Sequence, residues 1–194
     1  VRSLLYFGAW GTLIVFLFPT EMHALFSGVT VLGYILLTPL FLVIFPLIYR
    51  FARIHIGAPE WLLNVFPQQN ILTLEESYIV AKIGDVLFQQ FVAGVMIFLL
   101  TSASVPYPVI VGVFVVLFMI AHIYIFRTAG FMWGMHYTSY AMLGGFAFPF
   151  FIIFIPGGIG YAMVLHMLFY VITAIFFAKF PHPDRTASED ILGV

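Results

Sequence analysis

The chain has 194 residues, of which 63% are hydrophobic and 8% are charged, and its mean hydropathy is +1.14. A soluble domain has about 25% charged residues, so this composition predicts a single integral membrane domain, residues 1–194. The net charge of −1 gives no reason to expect a nucleic-acid partner. Because there is no cysteine, disulfides, thiolate nucleophiles and cysteine-bound metals are excluded.

Apolar runs of about 20 residues predict six membrane-spanning helices. In chain order they lie at residues 3–18, 28–49, 75–100, 106–126, 131–155 and 157–178. Pro19 ends the first span, and a short interfacial piece is expected at 20–27. Pro39 and Pro46 predict kinks in the second span. The first run has no small-residue cleavage site, so we interpret it as a retained span rather than a signal sequence.

The connection between the second and third spans carries two local signals. Residues 59–63 read PEWLL, which predicts a short amphipathic helix with proline in its first turn. Thr73 and Glu76 form a capping-box pattern that predicts the start of the third span. The polar tail at 181–194 is expected to be frayed.

The basic residues predict the orientation of the chain. With six alternating spans, all seven fall on or near one side of the membrane: Arg2, Arg50, Arg53, Lys82, Arg127, Lys179 and Arg185. By the positive-inside rule this side is cytoplasmic, and both termini are then cytoplasmic.

The third span carries a polar stripe. Tyr78, Lys82, Asp85 and Gln89 are spaced at i, i+4, i+7 and i+11, which places them on one helix face. A charged or amide group in hydrocarbon costs about 2.5–3.5 kcal/mol on insertion scales, so this face is expected to contact protein or trapped water. The stripe is therefore either part of a functional site or a polar seam that joins helices.

Depth along each span suggests partners for the stripe. At about 1.5 Å per residue, Gln89, Gln90 and His166 all lie about 20 Å into the membrane, near its midplane. His122 and His136 lie about 8 Å from the cytoplasmic edge, level with the start of the stripe. We therefore expect the third, fourth and sixth spans to converge on a polar cavity that opens toward the cytoplasm.

Three segments in these spans share the order and spacing of a known set of motifs. Residues 89–94 read QQFVAG, residues 118–122 read FMIAH, and residues 166–170 read HMLFY. They resemble the Glu-Glu-x-x-x-Arg, Phe-x-x-x-His and His-x-x-x-Asn motifs of the CPBP intramembrane proteases (CAAX-protease and bacteriocin-processing, or abortive-infection, family). The resemblance covers about residues 80–176 and implies a CPBP-like core at about 75–180.

The resemblance implies roles for several residues. In the family a glutamate, assisted by a histidine, activates water for attack on a peptide bond, and a second histidine and the asparagine stabilise the oxyanion. His122 and His166 occupy the histidine positions, and Tyr170 replaces the asparagine. Gln89 and Gln90 replace the glutamates. Because an amide cannot act as a general base, the rate of peptide hydrolysis would fall by a factor of about 10²–10⁴.

Gly94 is a further departure from the motif, and Asp85 could compensate for the missing glutamates. Gly94 replaces the arginine that would orient the glutamates. Asp85, one turn before Gln89, is the candidate substitute base, although Lys82 is placed to hold it as an ion pair. The pattern thus predicts the family's fold with a degenerate proteolytic centre.

Other interpretations use the same features. An active CAAX-type endopeptidase remains an alternative. His122 and His136, on successive antiparallel spans, could instead bind haem or a (bacterio)chlorophyll. A small transporter is a further alternative, although no broken-helix pair at matching places in two halves supports it.

We therefore expect an all-α, polytopic helix bundle of the bacterial inner (cytoplasmic) membrane. Its expected function is that of an accessory or structural subunit, or a pseudo-protease, in a membrane complex. Its expected partners are the lipid bilayer and other membrane subunits, and no metal or cofactor is predicted.

Overall fold

A computed structural model describes residues 2–55, 76–129 and 131–179, and every regular element in these ranges is helical. The α-helices are α1 (Arg2–Leu17), α2 (Pro19–Ser27), α3 (Val31–Pro39), α4 (Phe45–His55), α5 (Glu76–Ser102), α6 (Tyr107–His122), α7 (Tyr124–Ala129), α8 (Phe131–Phe154) and α9 (Gly158–Lys179). A π-helical turn, Leu40–Ile44, joins α3 to α4. The predicted all-α class is confirmed for this part of the chain.

Within the described ranges, five segments are long and apolar enough to cross a membrane. They are the continuous α3–α4 helix, α5, α6 with α7, α8 and α9. The pair α1 and α2 would be a sixth span, but it bends by 96° where Phe18 precedes Pro19. The helical architecture is therefore that of a multi-pass membrane protein, while its orientation stays a prediction.

The π turn lies between the two prolines of the second span. Proline has no N–H and its ring clashes with the carbonyl four residues earlier, so an α-helix cannot continue unchanged through Pro46. Here the backbone N–H of Phe45 bonds to the carbonyl of Leu40, five residues earlier. The predicted disturbance is thus a widened turn, and the helix continues to His55, beyond the predicted end at residue 49.

The fourth predicted span is interrupted near its end. Helix α6 ends at His122, and the N–H of Ile123 bonds to the carbonyl of Ile120 in a tighter turn before α7 begins. The predicted helix at 59–63, Thr73 of the capping box and the tail at 181–194 lie outside the described residues.

Helices α5 and α9 form the centre of the bundle. About half of their apolar windows is buried, 50% and 56%, against 11–17% for the other three spans. The main core joins α4, α5 and α9 through side chains such as Tyr49, Val86 and Met167. A second core cluster, which includes Ile97 and Phe114, joins α5 to α6.

A close backbone approach joins α6 to α8. A Cβ atom on Gly145 would lie 2.7 Å from the Cα of Val115, so only glycine fits at this crossing. Because α8 packs along α6 here, the two helices form a wall that stands opposite α5 and α9.

Candidate functional site

A cavity of about 1310 Å³ lies among α5, α6, α8 and α9. It is larger than the roughly 300–1,000 Å³ of typical ligand pockets. Six residues that the sequence singled out as motif positions or substitute base all line it: Asp85, Gln89, Gln90, His122, His166 and Tyr170. The structure thus brings these side chains together around one space, and their chemical roles depend on the contacts that each one makes.

The carboxylate of Asp85 is buried, 6% exposed, and both of its oxygens are engaged. Oδ2 lies 2.5 Å from Nζ of Lys82, and Oδ1 accepts a hydrogen bond of 2.7 Å from Nε2 of Gln89. All three residues lie on α5. Lys82 is about one helix turn before Asp85 and Gln89 is about one turn after it, so the two donors reach the carboxylate from either side. The predicted ion pair is present, and Asp85 could act as a base only if these contacts broke.

Lys82 connects this carboxylate to α9. Its Nζ lies 4.5 Å from the ring centroid of Tyr170 and 3.4 Å from the Tyr170 hydroxyl. A desolvated ammonium group over an aromatic face is stabilised by the ring quadrupole. Tyr170, which occupies the asparagine position of the predicted motif, therefore contacts the cation that neutralises Asp85.

Gln90 and His166 form a second polar contact between α5 and α9. Nε2 of Gln90 lies 3.0 Å from Nδ1 of His166, which fits their common predicted depth. Gln90 is 1% exposed, and its Oε1 has no hydrogen-bond partner among the described residues. A buried acceptor without a hydrogen bond costs about 1–3 kcal/mol of stability, so the unpaired Oε1 is unfavourable.

The two other membrane histidines have different surroundings. His122 lines the cavity, and its Nδ1–H donates to the Phe118 carbonyl at 2.8 Å, which leaves Nε2 as an acceptor. His136 is not among the cavity-lining residues, and its Nε2 lies 3.4 Å from the hydroxyl of Thr173. The predicted histidine pair for haem or chlorophyll therefore does not face a shared cavity, and that cofactor interpretation stays a prediction.

Acidic and histidine side chains do not cluster as a metal site in the part of the chain that the structure describes. No group of three or more His, Cys, Asp or Glu residues there is arranged to hold a metal ion. The polar end of the cavity is instead organised by one ion pair and by amide and imidazole hydrogen bonds.

Gly94 lies where two other helices pack closely against α5. A Cβ atom at this position would lie 2.9 Å from Leu25 of α2 and 3.0 Å from Ile159 of α9. The ends of two flexible side chains lie against α5 at this point, and a side chain at position 94 would have to displace them.

Sequence reasoning missed the opposite wall of the cavity. It is largely aromatic, with Phe114 and Phe118 on α6 and Phe148 on α8. The rings of Phe118 and Phe148 lie 5.8 Å apart, and Phe148 lies 5.5 Å from the ring of His166. The spacing of Phe114 and Phe118 at i and i+4 was the one available signal, but 24 phenylalanines in the chain obscured it.

Comparison of the chain with models of protein families, with curated proteins and with solved structures finds no match. The likeness to CPBP proteases therefore depends on the three motif segments alone.

Proposed function

We propose that the protein is a CPBP-like pseudo-protease of the membrane, which binds an amphiphilic molecule in its cavity and does not cleave peptides. In this proposal it serves as an accessory subunit of a membrane complex. The cavity supports a binding role because one side is polar and the other is a wall of phenylalanine rings.

The proposal rests on the contacts of the Asp85 carboxylate. Peptide hydrolysis by this type of centre needs a general base beside the histidines. Gln89 and Gln90 are amides, and Asp85 is held by Lys82 at 2.5 Å and by Gln89 at 2.7 Å. Among the described residues that line the cavity, no uncommitted carboxylate then lies beside His122 and His166.

A cleavage assay in proteoliposomes tests this proposal. The protein is reconstituted with quenched fluorescent membrane peptides and compared with a His122→Ala variant. We expect the same background rate from both, because His122 has no activated water to assist.

An active CPBP-type endopeptidase is the second candidate, favoured by the shared cavity of His122, His166 and Tyr170. Cleavage by the unmodified protein that His122→Ala abolishes would establish it and refute the pseudo-protease. A Gln89→Glu/Gln90→Glu variant serves as the matched control, since it restores both carboxylates without changing side-chain length.

The accessory role is supported by the outer helices. In α1 and α3 many large apolar side chains are exposed, including Phe16 at 77% and Val31 at 76%. Such faces suit lipid or the helices of another subunit. Isolation in a mild detergent should recover the protein with at least one partner, and recovery of a lone chain from native membranes would contradict the role as a subunit.

A further inference from the structure

We infer that the cavity binds a membrane quinol, a 1,4-dihydroxyaromatic ring with an apolar tail, and that Gln89 and His122 accept hydrogen bonds from its two hydroxyl groups. This inference rests on the proposed binding function. It adds the chemical class of the ligand, and it predicts that the reduced quinol is bound in preference to the oxidised quinone.

The side chain of Gln89 presents a carbonyl oxygen to the cavity. Its partner, Oδ1 of Asp85, belongs to a carboxylate paired with Lys82, which can only accept, so the amide nitrogen must be the donor at 2.7 Å. Oε1 is therefore the amide atom that has no partner among the described residues. Gln89 lines the cavity and is exposed, whereas the adjacent Gln90 is 1% exposed. A ligand can reach Oε1 of Gln89, but not the enclosed Oε1 of Gln90.

The ring of His122 presents a second acceptor, which is fixed in the same way. The Phe118 carbonyl can only accept, so Nδ1 carries the proton and Nε2 of the neutral ring holds a lone pair. Nε2 lies on the edge of the ring away from this backbone contact. It has no partner among the described residues, and it is not one of the side-chain atoms there that are both enclosed and unpaired. His122 is half-buried and lines the cavity, so a ligand can approach this nitrogen.

The two acceptors lie at the same level on two facing helices. Ala93 of α5 and Phe114 of α6 pack in one core cluster, and the short turn between α5 and α6 makes the two helices antiparallel. Asp85 lies eight residues before Ala93, and His122 lies eight residues after Phe114, so both are about 12 Å from this cluster along their helices. The amide of Gln89 reaches the Asp85 carboxylate and therefore shares this level. A ligand between α5 and α6 thus meets one acceptor on each side.

Acceptors on two facing helices select a head group that donates from opposite ends. A 1,4-dihydroxyaromatic ring carries its two O–H groups in this arrangement. The corresponding quinone has only acceptors there, and they would face the acceptors of Gln89 and His122. The second N–H of Gln89 does not compensate, because it is on the nitrogen beside the Asp85 carboxylate, whose charge repels a carbonyl oxygen.

The rest of the lining suits an uncharged aromatic head. Apart from histidines, Lys82 and Asp85 are the only acidic or basic cavity residues in the described part of the chain, and they pair with each other at 2.5 Å. A charged head would lie here without a counter-charge. Phe118 lies one turn before His122, and its ring centroid is 5.8 Å from that of Phe148. A flat ring between the acceptors can stack on these side chains, and the volume of about 1310 Å³ gives room for its tail.

Photolabelling with three matched probes tests the inference. The full chain in phosphatidylcholine nanodiscs is irradiated without oxygen in the presence of a hydroquinone with a diazirine-bearing decyl tail, its 1,4-dimethyl ether or its quinone. Labelled peptides are located by mass spectrometry, and labelling of the exposed helix α1 measures the concentration of each probe in the bilayer. We expect the hydroquinone to label the cavity walls of α6 and α8 about 10- to 30-fold more than either other probe, since these lose two hydrogen bonds.

Three substitutions link this preference to the two acceptors. Gln89→Met and His122→Phe each remove one acceptor and preserve the approximate size of the side chain. Each should lower the ratio of hydroquinone to ether labelling about 3- to 5-fold, and the double variant should bring it to about 1. Gln90→Met is the matched control, because the Oε1 of Gln90 is enclosed, and its ratio should stay unchanged. An equal fall in Gln89→Met and Gln90→Met would overturn the assignment to Gln89.

The outcomes separate this inference from the proposed function. Equal labelling of the cavity by the three probes on the unmodified protein, or stronger labelling by the quinone, would overturn the quinol site and leave the binding role intact. Absence of cavity labelling by any probe would overturn both. Ala141→Trp, which fills the cavity, should abolish the labelling, and Ala103→Trp in the exposed turn after α5 should not.

Discussion

The two sides of the cavity are built by different physical means. Helices α5 and α9 are about half buried and supply the ion pair, the two glutamines, His166 and Tyr170. Helices α6 and α8 are 17% buried in their apolar windows and supply six phenylalanines together with His122. With the exception of His122, the polar groups discussed above thus lie on the helices that are surrounded by protein, and most of the aromatic rings lie on helices with one open face.

The difference shows two ways to hold helices together in a membrane. Lipid chains are as apolar as leucine, so burial of apolar surface gives little driving force between helices. The α5–α9 pair is joined by side-chain contacts such as Lys82 with Tyr170 and Gln90 with His166. The α6–α8 pair is joined by backbone proximity at Gly145.

The largest expected effect is on the polar side. Lys82→Met removes the cation from Asp85, which is 6% exposed, and leaves a buried carboxylate without its counter-charge. Breaking a buried pair in this way costs about 3–5 kcal/mol. The free energy of unfolding, measured by steric trapping in bicelles, should fall by this amount.

The double variant Lys82→Met/Asp85→Leu is the control for that measurement. Replacing both partners by apolar groups is often neutral, so it should recover most of the lost stability. A double variant as unstable as Lys82→Met would show that Lys82 contributes through Tyr170 instead of through the ion pair.

A smaller effect is expected on the apolar side. Gly145→Ala places a Cβ atom 2.7 Å from the Cα of Val115, so α6 and α8 must separate. Overpacking of this kind costs about 1–3 kcal/mol. Gly112→Ala on α6 is the matched control, since a Cβ atom there meets nothing within 4 Å. Equal stability of the two variants by the same unfolding measurement would show that the close approach does not hold this pair.

Much of the polar side could be predicted from the sequence. A charged or amide residue in an apolar span is rare, so its position and depth are informative. The i, i+3 spacing of Lys82 and Asp85 predicted their ion pair, and equal depth anticipated the contact between Gln90 and His166. The depth of a residue in the membrane does not determine the direction of its side chain around the helix axis, so the contact of Lys82 with Tyr170 was not predicted.

The apolar side could not be predicted for a related reason. Phe148 and Phe151 of α8 line the cavity, but Phe131 and Phe154 of the same helix do not, so the presence of phenylalanine does not select the face that lines the cavity. Likewise, the sequence does not show that Gly94 packs against the side chain of Leu25 on α2, far away in sequence.

The smallest predicted effect concerns one hydrogen bond between the two sides. His136 on α8 lies 3.4 Å from the hydroxyl of Thr173 on α9, which is 2% exposed. Thr173→Val removes this long hydrogen bond while keeping the side-chain shape, so the unfolding free energy should fall by about 0.5–1.5 kcal/mol. Thr138→Val makes the same substitution at a buried hydroxyl that has no partner in the described part of the chain, and it should be neutral or slightly stabilising. If both variants lose the same stability, the loss comes from placing valine in a helix, and the hydrogen bond between His136 and Thr173 does not stabilise the fold.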